Sequence, residues 1–181
     1  MIADQRLISQ LRDRAEPAID ALFDAYYDRV YRYLAQLVAD PELAADLTQD
    51  TFVKVYAALP RLSDDSNLTA WIFHIATRVA RSHFRRRRII QWLPLDAWSA
   101  RSAGHEEHIA QNDAVAMALN QLSPEYRTCL LLYSWAGLSC PEIGVALGKS
   151  EEATRMLLSR ARRQFQRYYT AASAIQEVDE S

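Results

Sequence analysis

Apolar residues recur at three- and four-residue spacing through most of this chain, with polar residues between them. Ile19, Leu22, Phe23, Tyr26, Val30, Leu34 and Val38 form the longest series, the mark of an amphipathic helix. Pro17 opens that helix, and Asp40 with Pro41 stops it and caps the next. The next helix, over about 42–59, buries Leu43, Leu47 and Val55 and leaves Asp46, Gln49, Asp50 and Lys54 outside. Leu7, Ile8 and Leu11 suggest a short helix ahead of both. Beyond Pro60 lies a loop of turn-forming residues, 61–67. A further helix over about 68–88 puts Leu68, Ile72, Ile75, Ala76 and Val79 on one face. Its opposite face gathers His74, Arg78, Arg81, Arg85 and Arg88. No alternating strand pattern occurs, and four glycines leave little for a turn-rich β fold. The expected class is all-α.

Towards the C-terminus the pattern tightens. Ser123, Pro124 and Glu125 start a helix with Tyr126, Cys129, Leu130, Leu132 and Tyr133 as its core. Ser139 and Glu142 form a capping box around Pro141, Ile143 and Leu147 share one side, and Gly148 can end the helix at positive φ. Ser150 then caps another helix, with Glu151 and Glu152 in its first turn. Thr154, Leu158, Ala161 and Phe165 make its apolar stripe, while Arg155, Ser159, Arg160, Arg162 and Arg163 fall elsewhere. A short helix, a glycine turn and a second helix rich in arginine describe a helix-turn-helix, whose second helix enters the major groove. A pair of ordinary packed helices with a solvated basic face is the plainer alternative.

Charge sharpens this picture. The net charge is −2, yet six arginines and no acid fall within 78–88 and a second basic block spans the helix-turn-helix. Two basic blocks on an acidic background point to two polyanion contacts. Trp71, Phe73 and Phe84 are interleaved with the first block, a mixture suited to phosphates with bases stacked nearby. Residues 89–112 form a linker, apolar at first and then small and acidic. The expected domains are 1–88, the linker 89–112, a second domain 113–169 and a flexible tail 170–181, with few contacts between the two bundles unless a partner or the linker joins them. Cys129 and Cys140 are the only cysteines, which suggests a reducing compartment. No apolar run approaches the ~20 residues of a membrane span, and the N-terminus lacks signal-peptide character. His105 and His108 could begin a metal site, but two imidazoles are too few. Neither a nucleophile–base pair nor a phosphate-binding glycine loop is present, so no enzyme, cofactor, metal or small-molecule substrate is expected.

Several motifs in order resemble the sigma factors of RNA polymerase, specifically the extracytoplasmic-function group of the sigma-70 family. Tyr26-Tyr27-Asp-Arg-Val-Tyr-Arg-Tyr33 resembles the family's first conserved helix, and Ala45-Asp-Leu-Thr-Gln-Asp-Thr-Phe52 its polymerase-gripping segment. Leu68-Thr-Ala-Trp-Ile-Phe-His-Ile-Ala76 with the arginine run resembles the promoter-melting helix. Leu122-Ser-Pro-Glu-Tyr-Arg127 and the helix-turn-helix resemble the second domain.

The resemblance implies roles. Asp46, Gln49, Asp50 and Phe52 would hold core polymerase. Ser66, Asn67, Trp71, His74, Arg78, Arg81, Arg85 and Arg88 would take the unpaired strand of the downstream promoter element. Lys149, Ser150, Arg155, Met156, Leu157, Ser159, Arg160 and Arg163 would meet the upstream element. The acidic linker would thread the polymerase channel that later carries RNA. The partners implied are core polymerase, promoter DNA and an anti-sigma factor, in the bacterial cytoplasm and in a stress response. Two departures stand out. Arg78 occupies a position where the family often has asparagine, and Met156-Leu157 stand where it often has serine and arginine. If both residues face the groove, they predict an upstream element that depends less on guanine. The rival readings are a helix-turn-helix regulator that binds duplex DNA alone and a helical module that sequesters a protein regulator.

Overall fold

Asp40 shows how the helices are cut. Helix α2 (Glu16–Val38) ends at Ala39, which adopts a left-handed conformation (φ 52°) and donates its N–H to the Ala35 carbonyl. Asp40 then accepts the Leu43 N–H at 3.1 Å and starts α3 (Pro41–Ala58). Pro60 closes α3 through a short 3-10 turn, Leu59–Arg61. Ahead of these lies α1 (Ile2–Arg12), and after them α4 (Leu68–Ile90). The second half holds α5 (Asp113–Gln121), α6 (Pro124–Ser134), α7 (Cys140–Leu147) and α8 (Glu151–Asp179). The computed structural model describes residues 2–63, 66–90 and 113–179, with side chains over 7–63, 66–85 and 114–173. Among these residues there is no strand, and no helix is long and apolar enough to cross a membrane. The linker, with His105 and His108, lies outside the described residues. Helix α8 continues to Asp179 and buries Ala172, where the pattern suggested a frayed tail from Thr170.

In the first half, α2, α3 and α4 pack around Leu22, Val30, Leu34, Leu47, Val55, Ile72 and Val79. Polar atoms in that core are satisfied. The Tyr33 hydroxyl lies 2.8 Å from Thr77 Oγ1 across α2 and α4, and burial raises its pKa. Thr48, Thr51 and Thr77 each donate to the carbonyl four residues back at 2.7 Å. In the second half α8 is the spine, packed by α5, α6 and α7. Tyr133 is exposed, so it is not the core residue expected; Leu131 is buried instead. Cys129 is buried and free, and burial pushes its thiol up to about 11.

The helix-turn-helix closes tightly at two glycines. Gly148 ends α7 at φ 69°, where a side chain would be strained. Gly144 meets the following turn: a Cβ there would lie 2.8 Å from the Lys149 carbonyl oxygen and 3.2 Å from Thr154 Oγ1. At the other end, the Glu142 carboxylate accepts both the N–H and the hydroxyl of Ser139, at 2.8 and 2.6 Å.

The expectation of two bundles with few mutual contacts does not hold. One apolar core runs through both halves, because α4 packs on α7 and α2 on α6. The reason lies in the width of α4's apolar face. Ile72, Phe73, Ala76, Thr77, Val79 and Ala80 are all buried. At roughly 100° per residue they cover an arc of about 160°, more than one neighbour can fill.

Candidate nucleic-acid and polymerase interfaces

On α3, Asp46, Gln49 and Asp50 are exposed on the side away from the core. Val53, 68% exposed, and the part-exposed ring of Tyr56 lie on the same helix; the pattern of polar residues gave them no role. Phe52 is 3% exposed and stacks on Phe23 and Tyr27, with centroids at 4.5 and 5.5 Å. It cannot itself touch a polymerase in this fold. It anchors the helix that presents the three polar residues, because it falls on the apolar stripe shared with Thr48 and Val55.

Helix α4 carries the downstream set. Asn67 Oδ1 accepts the Ala70 N–H at 3.1 Å and so caps the helix. Its Nδ2 donates to Glu142 Oε1 at 2.6 Å, across to α7. Ser66 is half-buried in the same loop. Trp71 and His74 are half-buried, and Arg78 and Arg85 exposed. Burial first, then the Arg78 charge, lowers the His74 pKa, so the imidazole is neutral at pH 7. It offers a hydrogen-bonding edge rather than a charge. Arg81 lies at the edge of the buried arc and donates from Nη1 to the Leu147 carbonyl at 3.2 Å. The side chain of Arg88 lies outside the described residues. Phe73 is fully buried, edge-on to Tyr33 at 5.3 Å, and so is not available to stack on a base.

Helix α8 carries the upstream set. Ser150 Oγ accepts the Ala153 N–H at 3.2 Å and caps it. Lys149 pairs with Glu125 at 2.9 Å, and Arg155 pairs with Glu151 one turn back. Ser159, Arg160 and Arg163 are exposed. Arg162 lies over the Tyr133 ring at 4.3 Å and borders an open groove with Arg155, Ser159 and Arg163. The two residues that depart from the family part company here. Met156 is 51% exposed, but Leu157 is 8% exposed and joins Leu158 in the core. The possibility that Leu157 reads a base is therefore corrected. α8 is covered on several sides by α5, α6 and α7, and its buried stripe widens to include position 157.

Arg127 is the last residue of the Leu122–Arg127 motif. It is buried, and the described structure gives it three carbonyl partners. Nε donates to Leu119 at 2.8 Å, Nη2 to Asn120 at 2.8 Å and Nη1 to Leu37 at 3.3 Å. These carbonyls close α5 and α2, so the guanidinium sits at the negative ends of two helix dipoles. Burial lowers its pKa. Periodicity cannot reveal such a residue, because its partners are backbone atoms.

The family model for sigma-70 region 2 matches residues 22–89, and that for sigma-70 region 4 matches 112–165. The RNA polymerase sigma factor CarQ of Myxococcus xanthus is 30% identical over 161 residues, covering 84% of this chain and 90% of CarQ. The chain is an extracytoplasmic-function sigma factor of the sigma-70 family. A second relative of this sigma factor, the extracytoplasmic-function sigma factor SigE of Mycolicibacterium smegmatis, is 28% identical over 169 residues. The match spans 88% of this chain but 65% of the longer SigE. The fold is shared with the sigma factor RpoE from Bartonella quintana, solved in complex with the anti-sigma factor NepR. The TM-score is 0.69 at 23% identity, over 83% of this chain and 96% of that one. Region 2 spans α2–α4 with the candidate polymerase and downstream-element residues. Region 4 spans the helix-turn-helix.

Proposed function

We propose that this sigma factor divides its work along the two matched regions. It binds core RNA polymerase and directs promoter-specific initiation of transcription. The observation that carries the division is the presence of three separate surfaces in one chain. These are a polar rim on α3, a cationic face on α4, and a cationic α8 behind a helix-turn-helix. Asp46, Gln49 and Asp50 dock on core polymerase, where exposed charges set encounter and register. Arg78, Arg81 and Arg85 hold phosphates of the unpaired downstream strand, while Asn67, Trp71 and neutral His74 meet its bases. Ser150 and Lys149 lie at the N-terminus of α8, where free backbone N–H groups take a phosphate. Arg160 and Arg163 add further phosphate contacts, and Met156 offers apolar contact to a thymine methyl. In this scheme the chain contributes binding and positioning and carries out no bond-making step itself. It acts in the cytoplasm beside the polymerase.

A regulator that bound duplex DNA alone would leave the rim on α3 without a use. The solved complex of a related fold with NepR supports control by an anti-sigma factor. The test is reconstitution. Purified chain added to core polymerase should yield promoter-dependent transcripts, and Asp46→Ala, Gln49→Ala and Asp50→Ala together should abolish them while leaving helix content unchanged. A triple variant with wild-type affinity for core polymerase across a salt series would remove the assignment of α3.

A further inference from the structure

The cations of the upstream set are not equally free. At the N-terminal end of α8, where a recognition helix meets base edges, each carries a carboxylate. Lys149 Nζ lies 2.9 Å from Glu125 Oε1, and Arg155 is paired with Glu151. Further along, Arg160 and Arg163 are exposed and have no acidic partner among the described residues. The pair at Lys149 is the more telling, because no helix dictates it. Glu151 and Arg155 are one turn apart on one helix, a common arrangement. Glu125 instead stands in the first turn of α6, and Lys149 in the turn between α7 and α8. The Lys149 backbone is pinned there. Its N–H donates to the Gly144 carbonyl at 2.8 Å, and its own carbonyl lies close against Gly144. Only the flexible four-carbon stem of the side chain can swing.

We propose that Glu125 stands in for a DNA phosphate. It holds the Lys149 ammonium in the free chain, gives it up to the backbone of the upstream element, and so sets how much of upstream binding comes from charge. Glu151 does the same for Arg155. The proposal rests on the reading of Lys149 and Arg155 as upstream ligands. Carboxylate and phosphate oxygens both form charge-assisted bonds to an ammonium, so exchanging one for the other gains little. The carboxylate left behind also keeps its charge beside the duplex. Each exchange therefore neutralises little net charge and releases few counterions from DNA. The contact positions α8 on the duplex without drawing it strongly to duplex of any sequence. Base contacts such as that of Met156, and the hold on core polymerase, are left to decide where α8 settles.

Glu125→Gln keeps the size of the side chain and removes its charge. Exposed ion pairs contribute little to stability, so the variant should fold with wild-type helix content. Assembled with core polymerase on promoter duplex, Glu125→Gln should tighten binding about threefold at low salt, the scale of one exposed ion pair. It should also steepen the fall of affinity with salt by a slope of up to about 0.9. Glu151→Gln should act in the same direction. The effect of Glu125 must pass through the lysine. In a Lys149→Gln background, Glu125→Gln should give less than half the tightening. A Glu125→Gln variant with the wild-type salt slope would overturn the proposal. So would equal tightening with and without Lys149, because Glu125 would then act as a general charge and not as the partner of that ammonium. Lys149→Gln alone tests the underlying reading, and should weaken binding and flatten the slope. If it bound the promoter as the wild type does, the upstream role of Lys149 would fail. If it weakened binding while Glu125→Gln changed nothing, only the role of Glu125 would.

Discussion

Helices α4 and α8 are both long and both rich in arginine, yet their cations are held differently. On α8 the partners are local. Arg155 is paired with Glu151 one turn away, and Arg162 lies over Tyr133 of the neighbouring α6. On α4, Arg81 reaches into the other half of the molecule, and the loop residue that caps the helix does the same. An arginine stripe thus means different things according to what lies along its edge. The basic face of α8 is complete within its own half. The face of α4 is bonded in part to the second half.

The sharpest break of this comparison is at positions 156 and 157. Leu157→Asp places a short carboxylate in the core beside Leu158, where it cannot reach water as a longer chain could. It should cost about 3–5 kcal/mol, the scale of an unpaired buried charge, while Met156→Asp should change stability by less than ~0.5 kcal/mol. Urea denaturation of the two variants decides. Similar costs would show that α8 does not present residue 156 and bury residue 157.

Arg127→Met tests the seam next. It leaves the Leu119, Asn120 and Leu37 carbonyls without their donor, and an unsatisfied buried acceptor costs about 1–3 kcal/mol. A loss of about 2–4 kcal/mol overall is expected, read by the same denaturation. Gly144→Ala should follow at about 1–3 kcal/mol, because its methyl would meet backbone rather than a flexible side chain. A neutral Gly144→Ala would mean that α7 and the turn to α8 stand further apart than described.

The arginines themselves should show in salt dependence. Arg78→Ala and Arg85→Ala should each lower the salt slope of open-complex formation by about 0.7 on a single strand. An unchanged slope would leave the stripe a solvated face. The smallest effect concerns His74, whose folded pKa lies below its usual value through burial and the Arg78 charge. The unfolded chain then takes up the proton first as pH falls. This contribution to stability is full above the unfolded histidine pKa and is lost as pH drops from there through the folded value. His74→Gln should flatten the acid side of the stability profile in that window. A profile unchanged from wild type would assign no such role to the imidazole.

Much of this was legible in the chain. Asp40 with Pro41, Ser139 with Glu142, and Gly148 mark their helix ends by local chemistry, and the structure places the ends there. The exposed set on α3 and the arginines of α4 also follow from a period of 3.6 residues. What periodicity could not show is how wide a face becomes when several helices cover it. Phe52, Phe73 and Leu157 each border an apolar stripe, and only neighbours distant in sequence decide that they are buried. The same limit hid Arg127 and the contact between α4 and α7, which join residues far apart through backbone carbonyls.

The division of labour between the two helices can be tested in one experiment. A photo-reactive residue replaces Arg78 in one variant and Met156 in another, and each is illuminated in the promoter complex with core polymerase. The account predicts that position 78 attaches to the unpaired downstream strand and position 156 to upstream duplex. Attachment of both to the same duplex segment, or of position 78 to no DNA, would contradict it.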